Sequence, residues 1–295
     1  MPFFKHNENI SIFYLEEGPQ DAPVVFLIPG ITCDLHDWNW QVPFLLQHGF
    51  RVITPDPRGQ GRSSAPPPTP DIKSYPGPNA DPSIVDYYPQ SAAEDFIALL
   101  QYLNISSAII IAHSLDTAVA YHLVRLVSVR PDLARAMVIL DPLHSISTAT
   151  VDEHLSDPMT VLPNLARLFD ADMHPPTVPA WHNSWTRRRA MQTDMGVIMA
   201  QCWACLGDPN AIGRREVSVA QHDDKLMCPR LTLGNSDYWV ATERTYLKPS
   251  SEHDEIILVG GMGHWFFQHK SMEVNEHLER WFKVVGLLPV QTLSQ

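Results

Sequence analysis

Short runs of aliphatic residues rich in Val and Ile recur along the chain, separated by stretches whose apolar positions fall at helical spacing. The runs Ile10–Tyr14, Val24–Ile28, Arg51–Thr54, Ala108–Ala112, Ala136–Leu140, Arg230–Leu233 and Glu255–Val259 predict strands. Between them, Ser91–Leu103 places Ala92, Phe96, Leu99, Leu100 and Leu103 on one helical face. Asp116–Val129 follows a strand directly, with Val119, Leu123 and Leu126 at helical spacing, and Met272–Val285 closes the chain in the same way. This alternation predicts an α/β fold, a mostly parallel central sheet covered by helices on both faces.

Two segments interrupt the rhythm. Ala65 to Pro89 holds eight prolines in 25 residues; proline lacks the N–H and disfavours helix in its predecessor, so a long, semi-rigid loop is expected. Pro142 to Met227 shows helical patterns without a clear strand and carries Trp181, Trp185 and Trp203. It is expected to be a helical cap (142–227) inserted after the sixth strand into a core formed by 1–141 and 228–295. No internal repeat is visible.

Composition narrows the class. The 295 residues suffice for a substantial core, and 33 acidic against 21 basic side chains give a net charge of −12. That sign repels phosphate backbones and anionic lipid, so neither nucleic acid nor a membrane is an expected partner. No apolar run approaches the roughly 18–20 residues of a membrane span, and the N-terminus turns polar too early for a secretory signal. A soluble, cytoplasmic protein is expected. Cys33, Cys202, Cys205 and Cys228 are too few to staple a chain of this size, so reduced thiols are the default. No feature sets an oligomeric state.

The candidate chemistry lies where strands end. Ile109-Ile-Ile-Ala-His-Ser114-Leu-Asp-Thr runs from a buried strand straight into a helix, which reads as a nucleophile elbow with the Ser114 hydroxyl at the sheet edge. Its bland alternative is a helix N-cap. Leu27-Ile-Pro-Gly30-Ile-Thr ends an earlier strand, and the N–H of Ile31 or Thr32 there could join that of Leu115 in an oxyanion hole. Asp56-Pro-Arg-Gly-Gln-Gly61-Arg-Ser63 reads as a structural turn. Leu140-Asp141-Pro142 and Gly234-Asn-Ser-Asp237 each place a carboxylate just after a strand, and Gly260-Gly-Met-Gly-His264-Trp265 puts a histidine on a glycine-rich loop.

With Ser, Asp and His in that order, the sequence resembles the α/β-hydrolase fold superfamily over nearly its whole length. Leu27-Ile-Pro-Gly30, His113-Ser114, Met137-Val-Ile-Leu-Asp141 and Gly260-Gly-Met-Gly-His264 are further similar to two subgroups with the acid after the sixth strand. These are the cofactor-independent 3-hydroxy-4-oxoquinaldine-type dioxygenases and the zearalenone-type lactonases. The resemblance implies a triad of Ser114, His264 and Asp141, with Asp237, at the usual superfamily position, as the alternative acid.

Other residues are weighed beside it. His113, next to the elbow, suits core packing or substrate contact equally. Trp181, Trp185, Trp203 and Trp265 offer flat apolar area for a ring-bearing substrate, or simply pack. Cys202-x-x-Cys205 lacks a second ligand pair for a metal, and Arg187–Arg189 reads as a solvated helix face. Asp116 stands where the superfamily usually has glycine; ionised near the hole, it would oppose the charge of a tetrahedral intermediate. Leu115 stands where the dioxygenases usually carry histidine.

The leading expectation is therefore metal-free and cofactor-free hydrolysis of an ester, lactone or activated C–C bond in a small apolar or aromatic molecule. Cofactor-independent dioxygenation of a hydroxylated heteroaromatic by a His264–Asp141 base is the alternative. A lyase, cyclase or ligand-binding protein on the same fold is the third reading.

Overall fold

In a computed structural model the described residues are 2–68, 86–126, 133–142, 146–154, 175–222, 228–246, 248–249 and 251–289. All seven expected strands form, and an eighth, Phe3–Lys5, precedes them. In chain order they are β1 (Phe3–Lys5), β2 (Ser11–Glu17), β3 (Val24–Ile28), β4 (Arg51–Pro55), β5 (Ala108–His113), β6 (Ala134–Leu140), β7 (Arg230–Gly234) and β8 (Glu255–Leu258). They make one sheet in the order β1-β2-β4-β3-β5-β6-β7-β8. β2 pairs antiparallel with both β1 and β4 at one edge, and the remaining neighbouring pairs are parallel.

The sheet is covered on both faces, which explains why its central strands are apolar throughout. Phe26, Ile28, Ile110, Ala112, Met137 and Ile139 point to one layer, where Ala92, Phe96, Leu99 and Leu100 of the helix Pro89–Tyr102 pack with Val119 and Leu123 of the helix Thr117–Leu126. The intervening Val25, Leu27, Ile109, Ile111, Val138 and Leu140 point to the other, against Leu45 of the helix Gln41–Gln47 and Val274, Leu278, Trp281 and Phe282 of the helix Ser271–Val285. The alternation follows from the two-residue period of a strand. Each large side chain fully buried in these layers contributes about 1.5–3 kcal/mol.

Between β6 and β7 the described elements are the helices Thr148–His154, Ala180–Ala190, Met195–Cys202 and Arg215–His222, a π-helical turn Trp203–Gly207 and an isolated bridge between Ile146 and Arg214. Ile198, Cys202, Cys205 and Leu206 from this stretch pack on Leu115 beside the β5 end, while Val197, Ala200 and Ala204 pack on Tyr87 and Tyr88. Cys202 and Cys205 thus serve packing, and all four cysteines are free and buried. Most of the proline-rich stretch and residues 143–145, 155–174 and 223–227 lie outside the described residues. No described helix is long and apolar enough to cross a membrane.

Candidate active site

Because β3, β5, β6 and β7 run parallel, the segments that follow them emerge at one edge: Gly30 after β3, Ser114 after β5, Asp141 after β6 and Asn235 after β7. A ligand site at the carboxyl edge of parallel strands is where this architecture places one.

Ser114 turns the chain sharply. It sits at φ +59°, in the left-handed region, and opens a 3₁₀ turn Ser114–Asp116 that leads into the helix Thr117–Leu126. A non-glycine residue held there carries on the order of 1–3 kcal/mol of strain, and the surrounding packing must impose it. Two contacts fix the elbow. The Thr117 hydroxyl donates to the Ser114 carbonyl at 2.7 Å, and Gly30 lies so close that a Cβ on it would meet Ser114 Cβ at 2.8 Å and His113 Nδ1 at 3.0 Å.

His264 meets Ser114 from the loop after β8. Gly263, at φ +66°, lets the backbone turn so that the next side chain points back over the sheet edge. The Ser114 hydroxyl donates to His264 Nε2 at 2.6 Å. On its other side, the His264 Nδ1–H donates to Asp141 Oδ2 in a buried bond. Asp141 is itself held at φ +47°, and its carboxylate accepts from the Asn235 backbone N–H at 3.1 Å and from the Asn235 side-chain amide. Ser114, His264 and Asp141 are 3%, 3% and 4% exposed, so water competes with none of these bonds. The order of donors fixes the imidazole tautomer, leaving a lone pair on Nε2 for the serine proton. Asp237, the other carboxylate considered, is exposed in the first turn of the helix Asp237–Tyr246.

Opposite the elbow, Gly30 to Cys33 forms a tight turn closed by the Cys33 N–H on the Gly30 carbonyl at 3.0 Å, with Thr32 at φ +60°. That bond uses neither the Ile31 nor the Thr32 N–H. Across from it, Leu115 occupies the first turn after Ser114, where backbone N–H groups lack an intrahelical partner. Asp56 anchors the far side of the loop by accepting from the N–H groups of Leu35 and Arg62, each at 2.8 Å.

The remaining sequence candidates divide. His113 is fully buried; its Nε2–H donates to the His264 carbonyl at 3.0 Å, and its ring packs on Phe267. Burial, then the neighbouring His264, pushes its pKa well below the usual value, so it is a neutral prop for the histidine loop. Trp265 stands edge-on to His264 at 5.2 Å between ring centroids and also touches His182 of the helix Ala180–Ala190 at 5.4 Å. Trp185 and Trp181 join this group through His182. Trp203 packs on Gly207 instead. Asp116 is buried, and its Oδ2 accepts from Gln60 Nε2 at 3.2 Å. Burial raises its pKa to about 7, which that hydrogen bond opposes.

Some contributors were not singled out in the sequence. Asn235 lies in a segment quoted only for Asp237, and Gln60 in one read as a plain turn. Arg189 departs from the expected solvated face: Arg187 and Arg188 are exposed, but Arg189 is buried and donates to Asp37 Oδ1. Among the described residues Cys33, Asp37 and His113 form the one group whose potential metal-ligating atoms lie within 4.8 Å of each other. Arg189 and Gln268 already engage Asp37 there, and the guanidinium opposes a cation, so the group belongs to an ion-pair network.

Comparison with known proteins agrees with this fold. The family described as alpha/beta hydrolase fold matches residues 23–185, more than half of the chain. A bifunctional esterase/perhydrolase of Acinetobacter calcoaceticus is 33% identical over 126 residues, 42% of this chain and 40% of the relative. Non-heme chloroperoxidases and epoxide hydrolases match at similar identity, and the chain spans less than half the length of these curated relatives. The enol-lactonase of Burkholderia xenovorans LB400 superposes with a TM-score of 0.69 at 16% identity, over 96% of this chain and 100% of that one. Est816, described as an N-acyl homoserine lactone degrading enzyme, gives 0.70 at 16% identity over 95% and 99%. These two likenesses are of fold. The chain belongs to the α/β-hydrolase fold family.

Proposed function

We propose that the protein is a serine hydrolase that cleaves an ester, lactone or activated C–C bond of a small apolar or aromatic molecule. The observation that carries this reading is the unbroken chain of buried hydrogen bonds from Ser114 through His264 to Asp141. His264 takes the Ser114 proton as Oγ attacks the carbonyl carbon. The N–H groups of Leu115 and of Ile31 or Thr32 receive the oxyanion, and Asp141 stabilises the imidazolium. As the tetrahedral intermediate collapses, His264 passes the proton to the leaving oxygen or carbon, and water then hydrolyses the acyl-enzyme by the same route.

Residues 142–227 form the cap in this reading and 1–141 with 228–295 the core. Trp265, Trp185 and Trp181, gathered edge to face around His182, offer the substrate apolar ring surface. A relative named as an esterase, together with fold neighbours named as an enol-lactonase and an N-acyl homoserine lactone degrading enzyme, supports acyl chemistry. Asp141 directly after β6 is the acid position that the likeness to zearalenone-type lactonases implies.

Turnover of a panel of p-nitrophenyl esters and aryl-fused lactones by wild type and Ser114→Ala tests the proposal. Loss of turnover in Ser114→Ala is expected. Oxygen consumption with hydroxyquinolones that survives in Ser114→Ala but not in His264→Ala would replace hydrolysis with the dioxygenase chemistry.

A further inference from the structure

Asp116 and Gln60 are connected in a way that triad chemistry leaves unexplained. Gln60 is 2% exposed and spans two partners: its Nε2 donates to Asp116 Oδ2, and its Oε1 accepts from the Cys33 N–H, both at 3.2 Å. Asp116 lies two residues after Ser114, and Cys33 closes the turn that carries Ile31 and Thr32. One line of hydrogen bonds therefore joins the two backbone segments flanking Ser114.

We propose that Asp116 and Gln60 form a strut that holds the Gly30–Cys33 turn in register with the Ser114 elbow, making Asp116 a positioning residue for oxyanion formation. The inference rests on the hydrolytic reading. The polarity of the amide carries it. The Cys33 N–H, shared between the Gly30 carbonyl and Gln60, can only donate, so Gln60 turns its oxygen there and its NH₂ toward residue 116. A carboxylate at 116 is the strongest acceptor for that NH₂, whereas a glycine would offer none. Thr32 at φ +60° is a β-branched residue in an unfavourable conformation that something must hold. The Asp56 bonds to Leu35 and Arg62 fix only the far end of the loop.

The titratable groups facing Asp116 are the thiols of Cys202 and Cys205 from the inserted helices, and burial holds both far above their usual range, so both stay neutral. No ion pair among the described residues includes Asp116. Its charge therefore depends on burial and Gln60 alone, and protonation weakens the acceptor at one end of the strut.

The test is a double-mutant cycle on an ester that wild type turns over in a Ser114-dependent way. Gln60→Met and Asp116→Leu should each lower kcat about tenfold or more with a smaller change in KM, and the double variant should lose no more than the worse single one. Asp116→Asn, which keeps an acceptor, should restore most of what Asp116→Leu loses, and it should remove one ionisation from the acid limb of kcat. Circular dichroism and thermal melting establish that each variant is folded; Asp116→Asn, nearly isosteric, carries the test if Asp116→Leu is not. Losses that add, a folded Gln60→Met with full kcat, or an unaltered acid limb in Asp116→Asn would overturn the strut. Turnover that persists in Ser114→Ala would instead overturn the hydrolytic reading.

Discussion

Arg189, on the helix Ala180–Ala190, and Asp37, in the 3₁₀ turn after β3, form a buried ion pair. Gln268 donates to the same Asp37 oxygen at 3.0 Å, and the guanidinium lies 4.3 Å from the centre of the Trp185 ring. Removing one partner leaves an uncompensated charge, whereas replacing both with apolar groups need not destabilise. Arg189→Met should therefore cost about 3–5 kcal/mol in urea unfolding, and Asp37→Leu combined with Arg189→Met markedly less. Equal stability of wild type and Arg189→Met would show that the pair does not hold the helix Ala180–Ala190 in place.

The acid can be assigned by two substitutions. Asp141→Asn should cost on the order of 10⁴-fold in kcat, as expected when an imidazole loses the carboxylate that sets its tautomer. Asp237→Asn, at an exposed helix start, should change kcat little. The reverse ranking in steady-state kinetics would move the acid to Asp237.

Gly30 sits where no side chain fits without displacing the elbow. Its neighbours there are Ser114 Cβ and the His113 ring, neither the far end of a flexible chain. Gly30→Ala should lower kcat at least about tenfold, equivalent to roughly 1.4 kcal/mol of barrier, in a protein whose circular dichroism is unchanged. Full activity would mean that the turn moves freely.

Stability should carry the mark of Asp116. Its pKa in the fold, about 7 against a usual 3.8, lies above that of the unfolded chain. Native protein therefore binds the extra proton between these values, and stability falls as pH rises from about 4 to 7, by about 4 kcal/mol at 1.36 kcal/mol per pH unit. His113, with its pKa depressed, has the opposite sign: its contribution is full above pH 6.5 and is lost as pH falls below it. The wild-type curve mixes the two, so the difference between wild type and Asp116→Asn is the diagnostic. Denaturant titrations at pH 5 and pH 8 should show Asp116→Asn gaining relative stability at the higher pH. A difference independent of pH would mean that Asp116 is ionised throughout.

Legibility in the sequence follows the range of the interactions concerned. The central strands and main helices were readable because their periodicity is local, and Ser114 and His264 because an elbow and a glycine-rich loop are contiguous signals. Phe3–Lys5 was missed because three residues ending in lysine give too short a pattern. Asp141 and Asp237 looked alike, each following a strand; what separates them is direction, with Asp141 turned inward at φ +47° and Asp237 opening an exposed helix. Asn235, Gln60 and the Arg189–Asp37 pair depend on partners 94, 56 and 152 residues away. No local pattern encodes contacts of that span.

In the proposed mechanism Ser114, activated by His264 and Asp141, attacks its substrate covalently. The most direct measurement is intact-mass and peptide mapping after exposure to a fluorophosphonate and, separately, to a slowly deacylating p-nitrophenyl ester. One adduct per chain on Ser114 is expected, with a matching burst of nitrophenol and loss of both in Ser114→Ala and His264→Ala. Steady turnover by a wild-type protein that forms no adduct, or an adduct on any residue other than Ser114, would contradict it.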